Sequence, residues 1–143
     1  MSEQTQYDYD EFLICTVREA SDEDKTFLEN YVREKEVMGK RIYYPARDTN
    51  QIDETGGYRI CCDNNEGMRH SREVVVYWTK KSQGTKFDLG MAFEQHSFSG
   101  KNIRLANRSA VEDIVFEQLH TEKLKKSFEM VLLTLDNLAN SIK

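Results

Sequence analysis

The stretch from Glu73 to Ala92 constrains the fold more than any other part of this sequence. It begins with five consecutive β-branched or aromatic residues, Val74 to Trp78, a pattern typical of a strand that is covered on both faces. A short polar loop, SQGT, and an apolar helical segment follow. A buried strand, a polar loop and a helix in succession predict one unit of an open α/β sheet, in which such loops form the ligand site.

Strand-like and helix-like segments alternate along most of the chain, which predicts a parallel sheet. We therefore expect an α/β domain of the Rossmann-like or flavodoxin-like type, with three layers, a central parallel sheet of four or five strands and a long C-terminal helix. The predicted strands are 12–17, 41–44, 74–78 and 102–106, and the predicted helices are about 21–38, 58–70 and 87–96.

The length of 143 residues fits one domain with its own core. Residues 1–10 are polar and acidic, so we expect them to be disordered, and we expect a single domain over residues 11–143. The acidic start lacks the basic and apolar regions of a signal peptide, and no apolar run reaches 18 residues. We therefore expect a cytoplasmic protein that does not contact membranes.

The net charge of −5 is spread over segments of mixed sign, without the basic stripe that tracks a phosphate backbone. This pattern argues against binding to a nucleic-acid polymer, although a mononucleotide needs only a few donors. The three cysteines, Cys15, Cys61 and Cys62, and the histidines show no zinc-ligand spacing. The sequence thus implies neither a metal nor a redox cofactor.

Polar residues follow each of the first three predicted strands, where parallel strands would bring them to one edge of the sheet. Hydroxyls, an arginine and helix amides suit a phosphate, whereas carboxylates suit sugar hydroxyls and an anomeric carbon. The candidate site residues are Thr16 and Arg18 after the first strand, Asp48, Asn50 and Gln51 after the second, and Ser82, Gly84, Thr85 and Asp88 after the third.

Two interpretations of Asp88 remain open. Thr85 and Asp88 have the spacing of a capping box, in which both side chains satisfy free amides at a helix start. Alternatively, Asp88 is a catalytic carboxylate at the carboxyl edge of the sheet. The polar segment 46–57 also has two interpretations, because a loop of this length is either functional or a solvated connector.

Three segments carry a resemblance to a known family: FLICTVREAS, YYPARDTNQ and SQGTKFDLGMA. Together they make residues 12–106 resemble the nucleoside 2-deoxyribosyltransferase superfamily, which includes the nucleoside 5′-monophosphate N-glycosidases. The resemblance implies that Asp88 is the nucleophile and that Asp48 holds the substrate. It also implies phosphate contacts from Ser82, Thr16 and Arg18.

The function implied by this resemblance is cleavage or transfer at the N-glycosidic bond of a nucleoside or nucleoside 5′-monophosphate, without a cofactor. The family nucleophile is normally glutamate, whereas Asp88 is shorter by one methylene, or about 1.5 Å. Either the backbone lies closer to the sugar, or the pocket serves a non-catalytic binder of a nucleotide or an ADP-ribose-like signal.

The end of the chain shows an apolar stripe at helical spacing. Such a stripe either covers the sheet or forms a dimer seam. Because the family resemblance implies oligomers, we expect a homodimer or larger assembly with Phe128, Leu132 and Leu135 in the contact. The stripe comprises Leu124, Phe128, Val131, Leu132, Leu135, Leu138 and Ile142.

Overall fold

The computed structural model describes residues 6–121 and 126–141, which contain four strands and six helices. The strands are β1 (Tyr9–Ile14), β2 (Ile42–Tyr43), β3 (Ser71–Val76) and β4 (Ile103–Leu105). The helices are α1 (Asp22–Val37), α2 (Pro45–Asp48), α3 (Tyr58–Arg69), α4 (Gln83–Ser99), α5 (Arg108–Thr121) and α6 (Phe128–Ser141).

All strand pairs are parallel, and the order across the sheet is β2-β1-β3-β4. This is the order of a flavodoxin-like, doubly wound sheet. The predicted α/β fold class with a central parallel sheet is therefore confirmed.

The two central strands are buried on both faces, as their continuous apolar sequences predict. In β1, Phe12 and Ile14 pack into a core with apolar residues of α3, α4, α5 and α6. The intervening Leu13 packs on the other face with Leu28 and Val32 of α1. Side chains that alternate along one strand thus join two helical layers to the sheet.

The order in which strands are added to the sheet reverses at β1, because β2 lies on one side of this strand and β3 on the other. In open parallel sheets, ligands bind outside the carboxyl ends of the strands at such a switch point. A ligand site is therefore expected at the loops that leave β1 and β3.

The first strand has the predicted length of six residues but begins and ends three residues earlier than we predicted. Tyr9 and Asp10, which we assigned to a disordered segment, belong to β1, and the Asp10 carboxylate accepts a hydrogen bond of 2.8 Å from the Arg41 amide. This long-range pairing orders a segment whose own composition is polar. Residues 1–5 lie outside the described residues.

The C-terminal region contains two helices, of which only the second was predicted. The prediction that Leu132 and Leu135 form a dimer contact is wrong, because they are only 1% and 3% exposed within their own chain. Both pack against the sheet, and Asp136 on α6 accepts a 2.9 Å hydrogen bond from the Leu105 amide of β4. Leu132 and Leu135 therefore cover the sheet, whereas Phe128 and Leu138 are 43% and 48% exposed; Leu124 and Ile142 lie outside the described residues.

None of the described helices combines the length and the apolar composition needed to cross a membrane.

Candidate active site

A cleft of about 360 Å³ opens at the carboxyl ends of β1 and β3. Four segments form its walls: the loop after β1, the segment after β2, the start of α3 and the start of α4. Among the predicted site residues, the cleft brings together Arg18, Gln51, Ser82, Gly84 and Asp88. Thr16, Asp48, Asn50 and Thr85 do not line it.

Helix α4 begins earlier than predicted, at Gln83, because Ser82 is its N-cap. The Ser82 hydroxyl oxygen accepts hydrogen bonds from the Thr85 amide at 3.1 Å and from the Thr85 hydroxyl at 2.7 Å. Thr85 is completely buried by this arrangement. The capping-box interpretation of Thr85 and Asp88 is therefore wrong, because Asp88 lies in the second turn of the helix.

The N-terminus of α4 faces the cleft, and one of its backbone amides already donates a hydrogen bond. The Gln83 amide donates to the Glu19 carboxylate at 3.2 Å, whereas the Gly84 amide has no partner among residues 6–121 and 126–141. Arg18 lies next to Glu19 in the cleft wall, is exposed and forms no ion pair with any described residue. This corner offers a cation and a helix amide to an anionic group, in competition with Glu19.

Asp88 is the carboxyl group of this cleft whose pKa burial raises. Only 8% of the residue is exposed, and burial raises the pKa of its carboxyl from 3.8 to about 7. The opposing influence is a 3.3 Å hydrogen bond that the Asn64 side-chain amide donates to Asp88 Oδ2. At neutral pH the carboxyl therefore exchanges between its neutral and ionised forms.

A buried chain of side chains holds Asn64. The Thr49 hydroxyl donates to Asn64 Oδ1 at 2.8 Å, and the Tyr43 and Thr49 hydroxyl oxygens are 2.6 Å apart. Since the only hydroxyl proton of Thr49 is used for Asn64, Tyr43 is the donor to Thr49. Each side chain in this series therefore donates to the next, from Tyr43 to Thr49, from Thr49 to Asn64 and from Asn64 to Asp88.

Sequence reasoning missed Asn64 and Thr49. A signal for Asn64 was available, because it shares the buried face of α3 with Gly67 and Met68 at steps of three and four residues. A polar side chain on the core face of a helix requires a buried partner. Thr49 had no comparable signal, since its two partners are separated from it by six and fifteen residues.

The predicted role of Asp48 finds no support in its position. The Asp48 carboxylate accepts hydrogen bonds from the Tyr44 amide at 2.8 Å and from Arg47 Nε at 2.9 Å. These contacts close the single turn of α2, because a carboxylate near a helix start satisfies free amides. Asp48 does not line the cleft that contains Asp88, whereas Asn64 donates a hydrogen bond to Asp88.

Of the remaining predicted residues, Asn50 and Gln51 form hydrogen bonds within the loop after β2. Asn50 Oδ1 accepts a 3.0 Å hydrogen bond from the Ile52 amide, a turn typical of asparagine. The Gln51 side chain donates to the carbonyl oxygens of Pro45 and Thr49 at 3.0 and 3.1 Å, while lining the cleft. The Thr16 hydroxyl is buried without a hydrogen-bond partner among the described residues.

Two larger depressions, of about 670 and 710 Å³, lie elsewhere on the surface. In the first, Arg47 pairs with Glu36 at 3.1 Å, and in the second, Lys101 donates to the Met68 carbonyl at 2.7 Å. The smaller cleft differs from both in its buried carboxyl group, that of Asp88.

The described residues contain no cluster of three or more histidine, cysteine, aspartate or glutamate side chains arranged to hold a metal ion. Comparisons with protein-family models, curated proteins and solved structures find no match for this chain. Functional inference consequently rests on the cleft itself and on the sequence motifs that line it.

Proposed function

We propose that the cleft is the active site of an enzyme that cleaves or transfers at the N-glycosidic bond of a nucleoside or nucleoside 5′-monophosphate. The observation that carries this proposal is Asp88, a buried carboxyl with a pKa near 7 in a cleft at the switch point of a parallel sheet. The resemblance of the lining segments to the nucleoside 2-deoxyribosyltransferase superfamily is a second support.

In the proposed reaction, ionised Asp88 attacks the anomeric carbon while the bond from this carbon to the base nitrogen breaks. The base leaves with the electrons of that bond and takes a proton from water. A covalent sugar ester of Asp88 remains until water, or the nitrogen of a second base, displaces the carboxylate. No external oxidant or reductant is needed.

Asn64 is the positioning residue in this mechanism. Its hydrogen bond to Asp88 Oδ2 fixes the carboxylate and leaves Oδ1, which has no partner among the described residues, for attack. The same bond favours the ionised form against burial. The buried hydroxyls of Thr49 and Tyr43 hold Asn64 in turn, so the orientation of the nucleophile depends on side chains from three separate elements.

The anionic end of a nucleotide would lie at the start of α4, beside Arg18 and the Gly84 amide. Glu19 competes for this position because its carboxylate already accepts from the Gln83 amide. Charge-assisted bonds to phosphate contribute about 1.5 to 3 kcal/mol, so Arg18→Ala should weaken monophosphate binding about tenfold or more. Binding of the uncharged nucleoside should stay nearly constant in calorimetry.

A second candidate function is non-catalytic binding of a nucleotide or an ADP-ribose-like ligand. It is favoured by the pKa of about 7, because a neutral Asp88 carboxyl can donate a hydrogen bond to a ligand. Aspartate is also shorter than glutamate, which favours binding over nucleophilic attack on a sugar carbon.

The deciding experiment incubates the protein with a panel of nucleosides and their 5′-monophosphates and measures free base by chromatography. We expect base release that increases as the pH rises through about 7, since the nucleophile must be ionised. Asp88→Asn should retain less than about a tenth of the wild-type rate. Asp63→Asn, which removes an exposed carboxylate on α3 outside the cleft, is the matched control.

If Asp88→Asn retains the wild-type rate, Asp88 is not the nucleophile. Calorimetric binding of a nucleotide without any release of base would instead favour the binding function. Asp88→Glu separates the two cases further, because a longer carboxylate that raises the rate identifies a nucleophile limited by its reach.

A further inference from the structure

The cleft contains one charged group that the proposed mechanism does not use, the Glu19 carboxylate. The charged residues that line the cleft are Arg18, Glu19 and Asp88, so two carboxylates accompany one guanidinium. The proposed mechanism uses Asp88 for the sugar and Arg18 for a phosphate. A second carboxylate in the wall of a binding site discriminates between ligands by their charge.

Glu19 occupies the place that the start of α4 offers to an anion. Its Oε1 accepts a 3.2 Å hydrogen bond from the amide of Gln83, the first residue of this helix. Ser82 caps the same helix through a different amide, that of Thr85. Because the first amides and the dipole of a helix attract anions, an internal carboxylate already holds the position that suits a phosphate.

A phosphate at this position would conflict with Glu19. A phosphate monoester carries a charge of about −1.5 to −2 at pH 7, and like charges placed side by side weaken binding. Arg18 supplies one positive charge, which is less than the combined negative charge of Glu19 and the phosphate. Glu19 is exposed and can move into solvent, but it then gives up its hydrogen bond to the Gln83 amide.

A hydroxyl group avoids this conflict. Glu19 Oε2 accepts no hydrogen bond from residues 6–121 or 126–141, so it can accept one from a ligand while Oε1 stays bonded to the Gln83 amide. Asp88 lies five residues after Gln83, about 7.5 Å further along the helix axis. A pentose with its anomeric carbon beside Asp88 is long enough to present its far hydroxyl to Glu19.

We propose that Glu19 makes the cleft selective for nucleosides with a free 5′-hydroxyl over the corresponding 5′-monophosphates. Its carboxylate accepts a hydrogen bond from the 5′-hydroxyl and keeps a phosphate from the start of α4. Arg18 still attracts an anion, so a monophosphate binds, but more weakly than the nucleoside with the same base. The family resemblance covers both kinds of ligand and assigns no role to Glu19. This proposal rests on the proposed function, because it takes the ligand of the cleft to be a nucleoside.

The test compares the wild type with Glu19→Gln in calorimetric titrations with nucleosides and their 5′-monophosphates. Glutamine keeps an oxygen for the Gln83 amide and removes the charge. In the wild type, each monophosphate should bind about tenfold or more weakly than its nucleoside. Glu19→Gln should tighten monophosphate binding about tenfold and weaken nucleoside binding severalfold, because a neutral oxygen accepts a weaker hydrogen bond than a carboxylate.

Glu34→Gln is the matched control, because it removes the same charge from an exposed position of α1 outside the cleft. It should change the binding of neither ligand. Glu19→Ala removes both the charge and the acceptor, and it should also tighten monophosphate binding. This variant repeats the test if Glu19→Gln loses the native circular dichroism.

Inorganic phosphate separates the role of Glu19 from the reaction of the cleft, because it has neither a base nor a glycosidic bond. It should bind Glu19→Gln about tenfold more tightly than the wild type. The proposal is overturned if phosphate binds both proteins equally, or if Glu19→Gln and Glu34→Gln have equal effects. A wild type that binds monophosphates at least as tightly as nucleosides would overturn it too.

A failure of the proposed function gives a different result. If no nucleoside binds the wild type while Glu19→Gln gains phosphate binding, the nucleoside is the wrong ligand, and the exclusion of phosphate by Glu19 is confirmed. If nucleosides bind with the expected preference but no base is released, the selectivity is confirmed and the catalytic function is wrong.

Discussion

Two buried carboxylates in the same helical layer differ in how many hydrogen bonds they accept. Glu129 at the start of α6 and Asp88 in α4 are 5% and 8% exposed. Glu129 accepts hydrogen bonds from Trp78 Nε1 at 2.8 Å and from the Gln118 side-chain amide at 3.0 Å. Asp88 accepts one, of 3.3 Å, from Asn64.

The two pKa shifts follow from this difference. Burial raises the pKa of both groups, but at Glu129 the hydrogen bonds from Gln118, Trp78 and Ser127 outweigh it and the net pKa is lowered. At Asp88 one hydrogen bond does not outweigh burial, and the pKa rises to about 7. Glu129 is matched by donors, whereas Asp88, with fewer donors beside a cleft, has the kind of perturbed pKa that is common at functional sites.

Replacement of Asp88 by its neutral amide should give the largest change in stability, and in the stabilising direction. Because the folded-state pKa of Asp88 lies above its unfolded value of 3.8, the folded protein binds more protons between pH 4 and 7 and loses stability as the pH rises through this window. We expect Asp88→Asn to raise the free energy of unfolding by roughly 3 to 4 kcal/mol at pH 8.

Chemical denaturation at several pH values checks this prediction. The gain should vanish near pH 4, where the wild-type carboxyl is already neutral, and it should level off above about pH 7. A gain that is independent of pH would mean that ionisation of Asp88 is not its cause.

The same chemical change at Glu129 should have the opposite sign. Glu129→Gln keeps the volume but replaces an acceptor-only group by an amide that presents hydrogens to Trp78 or Gln118. Hydrogen bonds to charged groups contribute about 1.5 to 3 kcal/mol, so we expect a loss of roughly 2 to 3 kcal/mol at pH 7. Equal signs for Glu129→Gln and Asp88→Asn in denaturation at pH 8 would contradict the comparison.

Asn64→Leu tests the comparison between Asp88 and Glu129, because it removes the hydrogen bond that Asn64 donates to Asp88. The variant leaves the Thr49 hydroxyl without its acceptor, and we expect a loss of about 1 to 2 kcal/mol. Since the Asn64 hydrogen bond lowers the pKa of Asp88, its removal should move the midpoint of the carboxyl titration above pH 7.

Carbon-13 NMR of the aspartate side chains measures that midpoint directly. Thr49→Val is the matched control, because it breaks the buried chain one step further from Asp88. It should cost less stability and move the titration less. If both variants leave the midpoint near pH 7, the buried chain does not tune Asp88.

The fold was predictable because its determinants are local. Val74 to Trp78 identified the central strand, and Ser21 correctly marked the start of α1. The missed helix α5 also carried a local signal, since Val111, Ile114 and Val115 recur at helical spacing and two of them are buried. That helix could have been predicted with the same rules.

The candidate site was predictable only in part, because its geometry depends on distant pairs. The motif around Asp88 found the carboxyl, but its donor Asn64 lies 24 residues earlier, on another helix. Arg47 precedes Asp48 directly, and its Nε donates a hydrogen bond to the Asp48 carboxylate, a pairing that the adjacent opposite charges in the sequence suggest. The periodicity of α6 could not distinguish a sheet-facing stripe from a dimer seam, because both need the same spacing.

The smallest expected effect is a change in the reactivity of Cys61, which lines the cleft and reports the charge of Asp88. Burial raises the pKa of the Cys61 thiol, and the negative charge of Asp88 raises it further. Asp88→Asn should therefore lower the pKa of Cys61 and speed its alkylation by iodoacetamide roughly threefold at pH 8.

This measurement uses a Cys62→Ser background, because Cys62 is exposed, and it relies on the burial of Cys15. Below about pH 6 the wild type and Asp88→Asn should react at the same rate, since Asp88 is then neutral in both. The rate ratio should thus rise through the same pH range as the stability difference between the two proteins. If the ratio stays constant with pH, or if Asp63→Asn has the same effect as Asp88→Asn, the charge that Cys61 senses does not come from Asp88.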